Sequence, residues 1–214
     1  MLHEEPEGSA LLRAEPRAKT DAPENIKLPA PDMAGGQSLM QALQNRRTSR
    51  EFSAKAVPLI VLSNLLWAAF GINRPAGGRT APSAHEWHEI DVYLATADGL
   101  YVYDARIHSL RLVLAQDIRI KTGLQSFVGD APLNLVYVAD HSRMVEAAES
   151  DRILYSAADA GFISQNVCLY CASEGLATVV RGMVPRHELA KLMKLRPTQR
   201  VVLAQSVGYP AGTH

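Results

Sequence analysis

The sequence predicts an α+β domain built from an antiparallel or mixed sheet and surrounding helices. Apolar alternation and short apolar runs indicate strands, at 90–95, 100–104, 110–114, 133–138 and 201–207. Apolar residues at helical spacing indicate helices, at about 38–46, 58–70, 150–174 and 186–195. Because strands and helices alternate only in part along the chain, this order favours α+β packing over a repeated strand-helix-strand fold.

The first two helices are bounded by residues with special backbone properties. Gly35-Gly36 breaks the chain before the first helix, which has apolar residues at Leu39 and Leu43. Pro58 suits the first position of the second helix, because the N–H that proline lacks would have no helical partner there. Gly71 suits the position just after the end of that helix.

The middle of the chain predicts a meander followed by a buried strand. Asp98-Gly99, between two alternating runs, is a strong hairpin signal, and 110–114 follows as a third strand. The nearly continuous apolar run 133–138, between Pro132 and Asp140, is typical of a strand buried on both faces.

The longest predicted helix covers about 150–174 and ends at Gly175. Its apolar residues, among them Leu154, Phe162 and Leu169, fall on more than one face. Such a helix is expected to be central and surrounded by other elements.

Size and composition predict one folded domain. The chain has 214 residues, 47% of them hydrophobic, which is enough for one sizeable core. Residues 1–25 are rich in Glu, Pro, Ala and Arg without a usable apolar period, so we interpret them as a flexible leader. Residues 26–214 are then the single domain.

The charge balance limits the classes of partner. Lys+Arg and Asp+Glu both number 22, so no global field favours nucleic acid or an anionic membrane surface. The chain lacks an 18-residue apolar run, and the acidic residues Glu4, Glu5 and Glu7 do not fit a signal peptide. The sequence therefore predicts a protein without nucleic-acid or membrane partners, in the cytoplasm or, alternatively, exported after processing.

Two cysteines form a C-x-x-C at Cys168 and Cys171. They lie in an apolar helical segment, and the second ligand pair that a zinc site needs is missing. We predict two buried, reduced thiols on one helix face, which suits the cytoplasm.

A cluster of cations and hydroxyls follows the first helix, in the segment Arg46-Arg47-Thr48-Ser49-Arg50. Arginines can donate paired hydrogen bonds to phosphate oxygens, so the segment is a candidate phosphate clamp. The alternative is a solvated helix end, where cations only complement the macrodipole. From these residues alone, the two interpretations are equally supported.

Five further segments accompany the arginines in a recognisable order: LWAAFGINR at 66–74, RTAPSA at 79–84, DVY at 91–93, DAG at 159–161 with QN at 165–166, and VGYP at 207–210. This order and spacing resembles the nitroreductase superfamily of FMN-dependent oxidoreductases, over about residues 26–210. The SagB-type dehydrogenases are the branch that it resembles most. The resemblance implies a nitroreductase-like fold, with a central sheet surrounded by helices and a long buried central helix.

The resemblance also implies which residues bind FMN. The residues that match the segment contacting its phosphate and ribityl chain are Arg46, Arg47, Thr48 and Arg50. The residues that match the segment lining the isoalloxazine ring, usually from the partner subunit, are Pro82, Ser83, Ala84 and His85. Ser83 would donate a hydrogen bond to a ring oxygen, or else belong to a loop that only caps the following segment.

A third matching segment follows the long helix and contains Arg181 and Gly182. In the family, two successive backbone N–H groups at this place face the N5 and O4 edge of the flavin, where they stabilise its electron-rich reduced form. The Arg181 side chain would then be free to meet substrate, or would be an ordinary surface cation.

The resemblance implies a homodimeric flavoprotein that binds FMN noncovalently and transfers hydride between NAD(P)H, or a small organic substrate, and flavin N5. A SagB-type dehydrogenase acting on a heterocycle of a peptide is one alternative, and a flavin-binding module without turnover is another. No protein nucleophile is needed for hydride transfer, so no catalytic side chain is assigned. The His85 and His88 pair around Trp87 is weak evidence for a metal, and no metal site is predicted.

Overall fold

A computed structural model describes residues 22–212. Within that range the sheet has seven strands, and every pairing between them is antiparallel. The strands are β1 (Asn25–Lys27), β2 (Ile90–Ala95), β3 (Leu100–Asp104), β4 (Ser109–Leu114), β5 (Leu133–Asp140), β6 (Ala177–Arg181) and β7 (Gln199–Gly208). Their order across the sheet is β1-β4-β3-β2-β5-β7-β6, which makes β6 an edge strand.

Four α-helices accompany the sheet in the described part of the chain: α1 (Leu39–Asn45), α2 (Leu59–Phe70), α3 (Glu149–Ser173) and α4 (Arg186–Leu192). The predicted α+β class is confirmed. Helix α1 begins after Ser38, whose hydroxyl accepts from the Gln41 N–H in a capping box. Helix α4 is shorter than the predicted 186–195, because Lys194 has a φ of +54° and cannot continue a right-handed helix.

Two strands were not predicted from the sequence. β1 has only three residues and pairs with β4, so the predicted leader 1–25 reaches into the sheet at Asn25, while residues 1–21 lie outside the described range. β6 follows Gly175, which has a φ of +69° at the turn after α3. Tertiary pairing with β7 defines β6, since five residues give little periodic signal by themselves.

The core occupies both faces of the sheet. Helices α2 and α3 cover one face, where Leu65, Tyr137 and Ile163 are fully buried. On the other face, Leu189 and Met193 pack over the sheet. No helix within residues 22–212 combines the length and the apolar character needed to cross a membrane.

Helix α3 is buried along one side only. Ile163, Val167 and Cys171 are fully buried against the sheet, whereas Ile153, Leu154 and Phe162 are 60%, 62% and 47% exposed. The helix that the sequence predicts to be surrounded is therefore covered by its own chain on one face and bare on the other.

Candidate functional site

The arginine segment runs from the end of α1 to the free edge of β6. Arg46 caps the helix through its backbone N–H, which bonds to the Ala42 carbonyl. The Ser49 N–H donates to the Thr178 carbonyl at 3.0 Å, so the segment is tied to the edge strand. Arg46 and Arg47 remain exposed beside this anchor.

A cleft of about 420 Å³ opens between this segment and the C-terminal half of α3; we call it the arginine cleft. Its lining comprises Gln37, Gln44, Asn45, Arg46, Arg47, Ser49, Cys168, Cys171, Ala172, Gly175, Leu176, Ala177, Thr178 and Pro210. Of the predicted clamp, Arg46 and Arg47 line the cleft, whereas the exposed Thr48 and Arg50 do not. The described lining contains two guanidiniums and no carboxylate, a donor set that fits a phosphate.

The two cysteines form one wall of the arginine cleft. Both are free and buried, which confirms the prediction of two thiols on one helix face. Burial raises the pKa of the Cys168 thiol, although the charge of Arg46 acts in the opposite direction. Burial likewise raises the pKa of Cys171, so both thiols stay protonated at neutral pH and neither is set up as a nucleophile.

Gly182 lies at the far end of β6 from the arginine cleft. It is exposed, and a Cβ built there would meet no atom within 4 Å, so a planar ligand has open access to the backbone. From Thr178 to Gly182 the strand advances by about 13 Å. The cleft and the Gly182 backbone therefore lie along the same edge of the sheet, at the two ends of one strand.

The Arg181 side chain is buried, which contradicts both predictions from the sequence, a substrate contact and a surface cation. It is only 3% exposed, and its guanidinium donates to the Thr122 carbonyl at 2.7 Å, to Thr122 Oγ1 at 3.2 Å and to Asn134 Oδ1 at 3.0 Å. Side chains alternate along a strand, and position 181 points to the same face as Val179, away from α3. Burial lowers the pKa of Arg181 to about 10, so it remains charged at neutral pH.

The segment Pro82-Ser83-Ala84-His85 precedes β2, and two of its hydrogen-bond donors bond to buried acidic side chains. The Ala84 N–H donates to Asp159 Oδ2 at 3.3 Å. The Ser83 hydroxyl accepts from the His88 N–H at 2.9 Å and donates to Glu89 Oε2 at 3.3 Å. The predicted hydrogen bond from Ser83 to a ring oxygen would therefore require the hydroxyl to leave Glu89.

The rest of this segment is open to solvent. Pro82 and His85 are exposed, and His85 has a φ of +50°. The imidazole packs against Trp87, with ring centroids 4.6 Å apart, and edge-on against Tyr155 of α3. Trp87, His85 and Tyr155 together form a partly exposed aromatic cluster.

Glu89 and Asp159 form a buried acidic pair that the sequence did not reveal. Their exposed fractions are 0% and 2%. Burial raises the pKa of Glu89, and the nearby Asp159 carboxyl raises it further; burial also raises the pKa of Asp159. Glu89 Oε1 is buried without a hydrogen-bond partner in the described structure. Seventy residues separate the two acids, so no local pattern could have paired them.

None of the predicted residues 82–85 lies in the lining of the arginine cleft. The segment 82–85 enters β2, which lies three strand positions from β6 in the order β2-β5-β7-β6. At the usual spacing of neighbouring strands, this separation is about 14 Å. That a partner subunit supplies this segment stays a prediction.

Together, the antiparallel sheet, the long helix α3 and the cationic cleft at the sheet edge are those of a nitroreductase-type α+β protein. A sequence model of the nitroreductase family matches residues 43–209. The chain therefore belongs to the nitroreductase family, which is a family of oxidoreductases.

Relatives from two organisms agree with this assignment. A protein of Methanocaldococcus jannaschii, named as a nitroreductase, is 29% identical over 168 residues, which cover 74% of this chain and 85% of the relative. A crystal structure from Ralstonia eutropha JMP134, also named as a nitroreductase, is 46% identical with a TM-score of 0.88 and covers 99% of this chain and 100% of its own.

The third relative shares the fold at lower identity. It is the NADPH:FMN oxidoreductase of Vibrio harveyi in complex with NAD⁺, which is 19% identical with a TM-score of 0.63. The match covers 81% of this chain and 69% of the relative. These three relatives do not distinguish the SagB-type branch from the rest of the family.

Proposed function

We propose that this protein is an FMN-dependent oxidoreductase that takes hydride from NAD(P)H and passes it to a small organic molecule. The observation that carries the proposal is the arginine cleft, in which Arg46 and Arg47 stand without a carboxylate at one end of the strand that exposes Gly182 at the other. FMN has a phosphate at one end and a redox-active ring at the other. The two ends of β6 offer a matching site for each.

Each part of this edge has a distinct task in the proposed function. Arg46 and Arg47 donate hydrogen bonds to the phosphate and balance its charge. The backbone at Gly182 presents an N–H group to the ring edge, where a fixed donor stabilises developing negative charge. Bound FMN supplies the hydride-accepting chemistry, so the chain itself has only to bind, orient and shield it.

We also propose that two copies of the chain build the complete site. Leu39 and Met40 on α1 are 62% and 73% exposed, and on α3 Ile153 and Leu154 are similarly bare. Helix α1 packs against the C-terminal end of α3, whereas Ile153 and Leu154 lie near its N-terminal end, so these side chains form two separate apolar patches that a monomer would leave in water. A two-fold symmetric dimer would cover these patches and bring the partner's segment 82–85 towards the β6 edge.

The purified protein, reconstituted with FMN and passed over a desalting column, provides the first test. We expect flavin absorbance to stay with the protein and to bleach when NADH or NADPH is added without oxygen, and a nitroaromatic acceptor to restore it. Retained flavin that neither nicotinamide bleaches would instead favour a SagB-type dehydrogenase or a binding module. Loss of all flavin on the column would refute FMN dependence.

A further inference from the structure

Arg181 is a buried cation without a counter-ion. Its guanidinium bonds only to neutral groups, namely the Thr122 carbonyl and hydroxyl and the Asn134 side-chain carbonyl. Its Nε is buried and has no partner in the described structure. Among the described residues, no carboxylate forms an ion pair with it, in contrast to Arg119, which is paired with Asp117 at 2.8 Å.

Such a charge is costly for a protein to keep. Removing a cation from water without a paired anion is unfavourable, and neutral acceptors compensate only in part. When such a buried cation is replaced by a hydrophobic side chain of similar length, the folded protein is often equally stable or more stable. The stability of the fold therefore does not by itself explain why position 181 carries a positive charge.

The position of this charge suggests its use. Arg181 is the last residue of β6 and directly precedes Gly182, the exposed backbone position at the proposed ring edge. The guanidinium lies on the face of the sheet away from α3 and extends inward to Asn134 of β5, where it is shielded from water and salt. In a medium of low dielectric constant its field reaches the ring edge with little screening.

We propose that Arg181 acts on the flavin through its charge, by favouring the reduced over the oxidised form of bound FMN. This inference rests on the proposed function. A hydride given up by NAD(P)H, which leaves as NAD(P)⁺, adds two electrons and one proton to the bound FMN and therefore one negative charge. A fixed cation behind the ring edge stabilises that charge and raises the reduction potential of the site.

The experiment measures the midpoint potential of bound FMN by equilibration with a reference dye. Arg181→Met removes the charge, and Arg181→Lys keeps it while losing the forked hydrogen bonds. We expect Arg181→Met to reduce the preference for reduced FMN about tenfold, a potential lower by about 30 mV for a two-electron couple. We expect Arg181→Lys to stay close to the wild-type protein, and oxidised FMN to bind all three proteins similarly.

Asn134→Asp tests the same idea without touching the arginine. It places a carboxylate where Asn134 Oδ1 now accepts from the guanidinium at 3.0 Å, and so cancels the net charge. We expect the potential to fall by about 30 mV here too, so this test remains available if Arg181→Met does not fold. Arg186→Gln is the matched control, because the Arg186 guanidinium also donates to backbone carbonyls, those of Val201 and Val202, but on the exposed helix α4.

The possible results separate this inference from the proposed function. Wild-type protein that binds no FMN overturns both. Wild-type protein that binds FMN with a potential unchanged by Arg181→Met and by Asn134→Asp overturns only the role of Arg181. Equal falls in Arg181→Lys and Arg181→Met also overturn it, because they would show that the hydrogen-bond fork matters and the charge does not.

Discussion

Loss of Arg46 should weaken FMN binding far more than riboflavin binding. Arg46 and Arg47 are the two cations that line the arginine cleft, and its described lining contains no acid that would compete with a phosphate for them. Riboflavin is FMN without the phosphate, so it can use the ring site at Gly182 but not the cleft. Comparing the two ligands isolates the contribution of the phosphate.

The size of the effect follows from the hydrogen bonds removed. A charge-assisted hydrogen bond contributes about 1.5–3 kcal/mol. Since about 1.4 kcal/mol corresponds to a tenfold change in the dissociation constant, Arg46→Ala or Arg47→Ala should weaken FMN roughly ten- to hundredfold. Both guanidiniums are solvent-exposed, so the lower end of this range is expected at physiological salt.

Fluorescence titration of the apoprotein with each flavin measures the effect. Arg74→Ala is the control for loss of a surface cation, because Arg74 lies in the exposed 73–76 loop and not in the lining of the cleft. Arg50 follows the Ser49 anchor and also lies outside the lining, so we expect Arg50→Ala to affect FMN and riboflavin equally. Equal losses of FMN and riboflavin in Arg46→Ala and Arg47→Ala would refute the phosphate role.

Three further predictions concern the rest of the site. Leu154→Glu introduces a charge on the exposed face of α3 and should convert a dimer into a monomer, as measured by sedimentation equilibrium. Ala76→Glu, at an exposed position in a loop, is the control and should leave the dimer intact. A dimer that survives Leu154→Glu would show that the interface lies elsewhere. Gly182→Val should keep the fold, because its Cβ meets no atom within 4 Å, but lower flavin occupancy or reduction rate; normal FMN binding and reduction would mean that the ring edge lies elsewhere. Burial raises the pKa of Glu89 in the folded protein above its unfolded value of 4.5, so the folded state favours the protonated carboxyl. The protonated carboxyl therefore contributes fully to the free energy of unfolding below pH 4.5, and this contribution is lost as pH rises through the folded pKa. Urea unfolding at several pH values should therefore show Glu89→Gln gaining stability relative to the wild-type protein as pH rises, and parallel curves would show that Glu89 does not titrate in this way.

Local patterns were sufficient for the parts of the fold that have a long or sharply bounded signal. The alternating run around Asp98-Gly99 forms the β2–β3 hairpin, and the apolar run after Pro132 forms the buried strand β5. Helix α2 ends at Phe70, before Gly71, as the glycine predicted. Chain order and motif spacing also identified the family, because these features are properties of the sequence itself.

Packing between distant segments decided what local patterns could not. Strand β6 is defined by its pairing with β7. The pleat then directs the Arg181 side chain into the interior, whereas the sequence predicted that it would either meet substrate or lie at the surface. Glu89 and Asp159 meet only because the segment before β2 packs on α3. The sequence determines that each of these residues is ionisable. Its burial and hydrogen-bond partners depend on neighbours far along the chain, and burial determines its pKa and the strength of its electrostatic interactions.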